Sequence, residues 1–300
     1  MRHLKDFEFI EGVIHAGSIR KAAEDMNITA SALNRRINRF EDEFGYAIFE
    51  RLARGVRLNP AGELLLHHIR SQRSDFARLK SQVSDLSGVR RGHVSIACSQ
   101  ALLPYFLPRE IARYRHNHPG VTFTVNARDR VAAERELSEF ACDIALVFEP
   151  RTMVDFELVH TIAQPIHAVM QADHPLAQHD TIRLREALRF PHVAPSENFA
   201  VRVLLETAAQ RSLSVELNPM IESDSFDFMC HFSEWEKMIS FQFPIGLDMG
   251  RAPDMVARPL AVQDVAPGNL LLGQQRGRTL PVASARFMRE LTASLQMSNA

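Results

Sequence analysis

The stretch from Phe7 to Phe44 leaves this chain few folds, because apolar residues recur there at helical spacing in three consecutive short runs. Phe7, Ile10, Val13 and Ile14 make the first run, and Gly17-Ser18 closes it while offering Ser18 as the N-cap of the next. The second run passes through Ala22, Ala23 and Met26. Ala22-Ala23 has almost no side-chain volume, so another helix can cross closely over it. Asn27-Ile28-Thr29 makes a short turn ending in an N-cap residue, and a third helix is predicted from about Ala30 to Phe44. On it Leu33, Ile37, Phe40 and Phe44 fall inward, leaving Ser31, Asn34, Arg35, Asn38 and Arg39 outward.

After Gly45, Ile48 to Leu52 and Gly55 to Leu58 read as two short strands joined by a turn, with Arg51, Arg54 and Arg57 around it. Three helices and such a hairpin make a winged helix-turn-helix. Its third helix would enter a major groove, with Thr29, Ala30, Ser31, Asn34, Arg35, Arg36, Asn38 and Arg39 on the DNA side. Ser18, Arg20, Lys21 and the wing arginines would hold phosphates. Charge agrees in location: residues 1–90 carry 15 Lys+Arg against 12 Asp+Glu, although the whole chain is at −1. A small helical bundle with a solvated polar face fits the same pattern.

Gly17-Ser18, Ala22-Ala23, Leu33, Ile37, Glu41, Gly45, Phe49, Arg51, Val56, Leu58 and Ala61-Gly62 stand in the order and spacing of the LysR-type transcriptional regulators, and the N-terminal 65 or so residues closely resemble that family. The resemblance implies a dimeric or tetrameric regulator with a winged DNA-binding domain, a long linker helix and an effector domain built like a periplasmic binding protein. Two departures fall on the reading helix, where the family usually has Gln and Ser but this chain has Ala30 and Asn34. Ala30 can touch only a thymine methyl, whereas Asn34 can hydrogen-bond an adenine edge or a phosphate. Phe40 and Asn59-Pro60 are milder departures at buried or turn positions.

Pro60 suits a first helical turn, and no further Pro or Gly beyond Gly62 interrupts the chain before Leu86. Leu65, Ile69, Gln72, Phe76, Leu79, Val83 and Leu86 alternate spacings of four and three, the seam of a coiled coil, with Gln72 as a register-fixing polar member. Such a seam calls for a homodimer; packing of the same stripe on the chain's own body is the alternative. Gly88-Val-Arg-Arg-Gly92 then reads as a hinge.

In the remainder, strand-like His93 to Cys98, Val121 to Ala127 and Ile144 to Phe148 alternate with helix-like Leu103 to His116 and Val131 to Ala141, the order of a parallel sheet flanked by helices. Strand candidates at 166–171, 218–222 and 239–242, with helices near 199–211 and 226–233, start a second such unit. Asn269 to Gln275 and a helix from Val282 to Leu295 return to the first. The expected class is therefore α/β with an N-terminal all-α winged helix-turn-helix. Residues 1–59 form that domain and 60–90 the linker helix and hinge. Residues 91–164 with 267–300 form lobe I of the effector domain, and 165–266 lobe II.

Ligands sit at the carboxyl ends of parallel strands, where helix amino ends present free N–H groups to anions. That rule selects Ser99, Gln100, Leu102, Arg128 and Phe148 on lobe I, and Ser196, Asn198, Ser225 and Phe226 on lobe II. Each is equally readable as an ordinary cap or core residue. The serines and Arg128, with Phe148 and Phe226, suggest an aromatic or other organic acid as effector. Where the family usually shows Gly-Leu-Gly, this chain has Glu236-Lys237-Met238, an expected narrowing or closure of the pocket.

Other chemistry is poorly served. No GxSxG, HExxH, P-loop or GxGxxG arrangement occurs, so an enzyme is not expected. His67-His68, His116/His118 and Cys230-His231 lack a third ligand at matching spacing, so neither metal nor cofactor is expected. Cys98 and Cys142 invite a redox switch but lie in or beside apolar strands, where buried inert thiols are usual. No run reaches the roughly 18–20 apolar residues of a membrane span, and the charged start MRHLKDFEFIEG is unlike a signal peptide, which points to the cytoplasm. The expected partners are double-stranded DNA, a small effector and a second or further copy of the chain; a cytoplasmic small-molecule-binding protein with the helix-turn-helix as scaffold is the alternative.

Overall fold

The computed structural model describes residues 2–86, 91–148, 155–212, 217–248, 250 and 252–297. The chain divides into two compact units, residues 1–77 and 78–300.

In the first unit, α1 (Arg2–Ala16), α2 (Ile19–Asp25) and α3 (Ala30–Phe44) are followed by a hairpin of β1 (Phe49–Arg51) and β2 (Val56–Leu58) and by the start of α4 (Pro60–Leu86). Thr29 caps α3 as its spacing predicts, its Oγ1 accepting the Ala32 N–H at 3.3 Å, and Gly45 ends it at φ +85°. Ile10, Val13, Ala22, Ala23, Leu33, Ile37 and Ile48 are buried together. Phe44 departs from the expected inward set. It lies at the last turn of α3, 41% exposed, and stacks on Phe40 at 5.9 Å rather than entering the core.

The hairpin is tied down by two contacts that local sequence does not announce. Glu41 Oε1 accepts the Ile48 and Phe49 N–H groups at 2.7 and 3.2 Å, clamping the strand entry to α3. Gly55, at φ +90°, turns the wing where a Cβ would lie 2.2 Å from the Gly17 carbonyl oxygen, and the Val56 N–H donates to that same oxygen at 3.0 Å.

Leu65 and Ile69 correct the seam reading. They are 7% and 0% exposed in the first unit's own core, because the first turns of α4 are used to close that core. Farther along, Gln72 is exposed, as are Phe76, Leu79 and Val83 at 45%, 51% and 54%. Of Leu86 only its place at the helix end is described, and residues 88–90 of the predicted hinge lie outside the described residues.

Among the described residues the second unit holds two five-stranded sheets. Lobe I contains β3 (Gly92–Cys98), α5 (Phe106–Asn117), β4 (Val121–Ala127), α6 (Arg130–Ser138), β5 (Ile144–Phe148) and β6 (Phe156–Gln164). Lobe II follows with β7 (His167–Gln171), α7 (Leu184–Ala187), β8 (His192–Pro195), α8 (Ala200–Ser212), β9 (Ile221–Ser223), α9 (Phe226–Glu236), β10 (Ile239–Gln242) and β11 (Met255–Pro259). The chain then returns to lobe I as β12 (Gly268–Gln275) and α10 (Val282–Met297).

The strand orders are β4-β3-β5-β12-β6 and β11-β7-β10-β8-β9. Both sheets are mixed, not purely parallel as expected. β12 runs antiparallel to β5 and β6, and β7 antiparallel to β10 and β11. Alternation along β5 sends Ile144 and Leu146 to the core under α5 and α10, and Ala145 and Val147 to a second core with Ala133 and Leu137 of α6. Among the described residues no helix is long and apolar enough to cross a membrane.

Three histidines of lobe II are held neutral by their surroundings. Burial keeps His167, His174 and His192 below the ordinary histidine range. His174 Nδ1 accepts the Leu176 N–H at 3.1 Å, so an imidazolium there would forfeit that bond. His192 Nδ1 faces the Phe190 carbonyl at 3.0 Å and its buried Nε2 has no hydrogen-bond partner among the described residues, so an added proton would be stranded. The unfolded chain takes up protons near about pH 6.5, before the folded one does, so stability falls as pH drops through that range. We expect the unfolding temperature of the second unit to decrease between about pH 7.5 and 5.5; a flat or rising profile would contradict the burial argument.

Candidate nucleic-acid interface and ligand cleft

The exposed face of the first unit is built on α3. Ala30, Ser31, Arg35 and Asn38 are exposed and Asn34 partly so. Thr29 is occupied as the cap, with its Oγ1 3.3 Å from Ser31 Oγ. Arg36 is turned aside: its guanidinium lies 4.9 Å from the Phe9 ring centroid and 3.9 Å from Asp6, a choice made by α1 packing alongside. Ser18 precedes α2 without a capping side-chain bond.

Several cations of the predicted set are already answered by acids. Arg20 faces Glu24 at 3.7 Å, Arg39 faces Glu43 at 2.8 Å, and Arg57 meets its cross-strand neighbour Glu50 at 2.7 Å. All are solvent-exposed pairs, weak enough to yield to a phosphate. Lys21, Arg35, Arg51 and Arg54 are exposed and carry no ion pair among the described residues. The arrangement can therefore set positive charge on both sides of a polar reading face.

In the second unit the two lobes border a cleft of about 450 Å³. Ser99, Gln100, Arg128 and Phe148 line it from lobe I, and Ser196 and Asn198 from lobe II, so the carboxyl-end rule brings these six together. Leu102, Ser225 and Phe226 are corrected. Leu102 is fully buried, Ser225 caps α9 by accepting the Phe228 N–H at 3.2 Å, and Phe226 sits behind Phe199 in an edge contact at 5.7 Å. Asp129, Arg130, Phe199, Ala200 and Asp224 also line the cleft. They follow strands β4, β8 and β9, and the same rule applied one or two residues farther along would have found them.

The amino ends of α6 and α8 both reach the cleft. That of α6 is capped by Asp129, whose Oδ1 accepts the Ala132 N–H at 2.7 Å. Phe199 and Ala200 at the amino end of α8 line the cleft, and the Phe199 side chain offers no acceptor to the first N–H groups of that helix. Arg128 pairs with Glu136 and donates to the Ala127 carbonyl at 2.8 Å. Beneath, Phe148 stacks on Phe243 at 4.0 Å, bridging the lobe I sheet to the chain that leaves β10.

Glu236-Lys237-Met238 do not narrow this cleft. They precede the amino end of β10, which runs parallel to β8, whereas the cleft is at the strands' carboxyl ends. Lys237 ends α9 at φ +53° and its ammonium lies 2.6 Å from Asp173, an exposed pair that draws the Asp173 carboxyl below its usual range.

The thiols are unsuited to exchange. Burial pushes Cys98 and Cys142 up to about 12, and Cys230 upward as well. We expect native protein at about pH 8 to resist alkylation at Cys98 and Cys142 on a timescale where denatured protein reacts fully; rapid labelling, or a Cys98–Cys142 disulfide under mild peroxide, would reinstate the redox reading. Among the described residues no group of three or more His, Cys, Asp or Glu is placed to hold a metal.

Comparison with known proteins agrees with this two-part construction. Residues 4–63 match the model of the bacterial regulatory helix-turn-helix protein, lysR family, and residues 87–296 that of the LysR substrate binding domain. The RuBisCO operon transcriptional regulator of Allochromatium vinosum is 27% identical over 203 residues, 68% of this chain and 67% of that protein. A full-length OxyR variant from Pseudomonas aeruginosa has a similar fold, with TM-score 0.65, 17% identity and coverage of 98% of this chain and 94% of that one. So has full-length CbnR complexed with its target DNA, with TM-score 0.62, 13% identity and coverage of 97% and 99%.

Proposed function

The chain belongs to the LysR family of DNA-binding transcription regulators and is not an enzyme, and from that premise we propose that a small anionic effector, of the organic-acid class, binds between its two lobes and sets its activity on DNA. The observation that carries the reading is the cleft itself, where the amino end of α8, Ser99 and Arg130 converge from opposite lobes over an aromatic floor. Effector binding changes lobe closure, and a homo-oligomer passes that change to the spacing of DNA half-sites. Exposed Phe76, Leu79 and Val83 on α4 support pairing with a second copy through the distal half of that helix. The place of action is the cytoplasm, where the operator lies.

Selection of bound sequences from a random duplex pool tests the DNA half of this reading, with an Asn34→Ala, Arg35→Ala double variant as control. The expected result is an enriched, roughly palindromic motif that depends on both residues. No enrichment by folded, oligomeric protein would reduce the helix-turn-helix to a scaffold and favour a small-molecule-binding protein.

A further inference from the structure

A smaller cavity, of about 230 Å³, lies between α9, strands β7 and β10 and the turn that leaves β10, with Pro104 of lobe I completing its wall. It is separate from the cleft. Phe226 lines it, Phe199 lines the cleft, and the two rings meet edge to face at 5.7 Å as the partition. Its walls are apolar at Val169, Phe226, Leu247 and Met255 and acidic at Asp227 and Glu234, and no lysine or arginine among the described residues lines it. Neither the Asp227 nor the Glu234 carboxylate makes a hydrogen bond or ion pair among the described residues. Burial pushes the Cys230 thiol up, and the charges of Asp227 and Glu234 push it the same way, so the potential at this wall is negative.

Gln242, 3% exposed, lines the same cavity. Its Nε2 donates to Cys230 Sγ at 2.9 Å, while its Oε1 accepts no hydrogen bond among the described residues and retains accessible surface. A carbonyl oxygen left open at the wall of a cavity, on a side chain otherwise buried, calls for an N–H donor. A neutral apolar guest would leave that oxygen without one, and an anion would face two carboxylates. We infer that the cavity is a second ligand site, which takes a small organic cation. Its apolar body lies among Val169, Phe226 and Met255, with an ammonium group toward Gln242 Oε1, Asp227 and Glu234. The volume is below that of pockets for drug-sized ligands, which suits a single ring or a short chain.

Calorimetric titration of the full-length protein near neutral pH tests it, with benzylamine, phenethylamine, cyclohexylamine and putrescine as cationic probes and benzyl alcohol and benzoate as controls. We expect at least one amine to bind at least about tenfold more tightly than either control. The half-buried Cys230 thiol lines the cavity and reports where the amine sits, so a saturating amine should slow its alkylation about fivefold or more. In the Asp227→Asn, Glu234→Gln double variant, which keeps both side chains' shapes, amine affinity should fall at least about fivefold while the unfolding temperature holds. Gln242→Leu, which removes the acceptor, should lower it by a similar factor. Controls that bind as tightly as the amines, amine affinity that survives these substitutions, or amine binding that leaves the Cys230 rate unchanged would each overturn the site. So would the absence of binding by every amine at millimolar concentration. None of these outcomes bears on the cleft, which lies across the Phe199–Phe226 partition.

Discussion

Replacing Asp143 with alanine is expected to cost the second unit about 3–5 kcal/mol of stability. Asp143 begins the turn into β5 and is buried with Arg278, whose Nη2 lies 2.7 Å from Oδ1. Its other oxygen accepts the Ser95 N–H at 3.2 Å and the Ser284 hydroxyl at 2.8 Å, and Arg278 also donates to the Cys142 carbonyl at 2.6 Å. One carboxylate thus joins β3, β5, the turn after β12 and α10 through residues up to 141 positions from it in the chain. Its removal takes the acceptor from the Ser95 N–H and the Ser284 hydroxyl and leaves a buried guanidinium facing an empty carboxylate position, and together these account for most of the loss. Against a total stability of about 5–15 kcal/mol this is severe, and denaturant unfolding followed by circular dichroism would register it. An Asp143→Ala, Arg278→Ala double variant should lose clearly less than the sum of the singles. A loss below about 1 kcal/mol for Asp143→Ala would show that water reaches the pair and that the network is not structural.

Arg35→Ala should weaken binding to the selected operator by about 5–150-fold, the worth of one good base contact, while binding to unrelated duplex changes little. Asn34→Ala should behave alike, because both side chains leave the same face of α3 that Leu33 and Ile37 anchor from below. Arg51→Ala and Arg54→Ala should differ in kind. Their loss should weaken all sequences together and reduce the slope of log affinity against log salt by about 1 each. Fluorescence anisotropy on specific and scrambled duplexes at several salt concentrations separates the two patterns. A salt slope unchanged by the wing substitutions would remove Arg51 and Arg54 from the phosphate contacts, and uniform weakening by Arg35→Ala would make it a phosphate ligand too.

Local physical chemistry written into the sequence determined much of this protein: the periods of 3.6 and 2, the Thr29 cap, the stop at Gly45 and the rule that puts ligands beyond strand carboxyl ends. Those signals act within a few residues, so they located α3, the hairpin and the cleft residues from Ser99 to Asn198. Only the tertiary structure decided which neighbour each side chain meets. Leu65 and Ile69 satisfy a coiled-coil spacing and a core-closing spacing equally well, and α4 uses them for the core. Arg36 has the composition of a DNA contact but finds Asp6 and Phe9. Phe226 ends beside the cleft yet stands behind Phe199, and Lys237 lies at the wrong end of its strand to narrow anything. β6, β8 and β11 carry no clear strand signal of their own, because strand propensity depends on the neighbouring strand more than on the residues themselves; β6 pairs with β12 across more than 100 residues. The pairing of Asp143 with Arg278 has the same origin, since two charges 135 positions apart carry no mark of each other until the sheet is assembled around them.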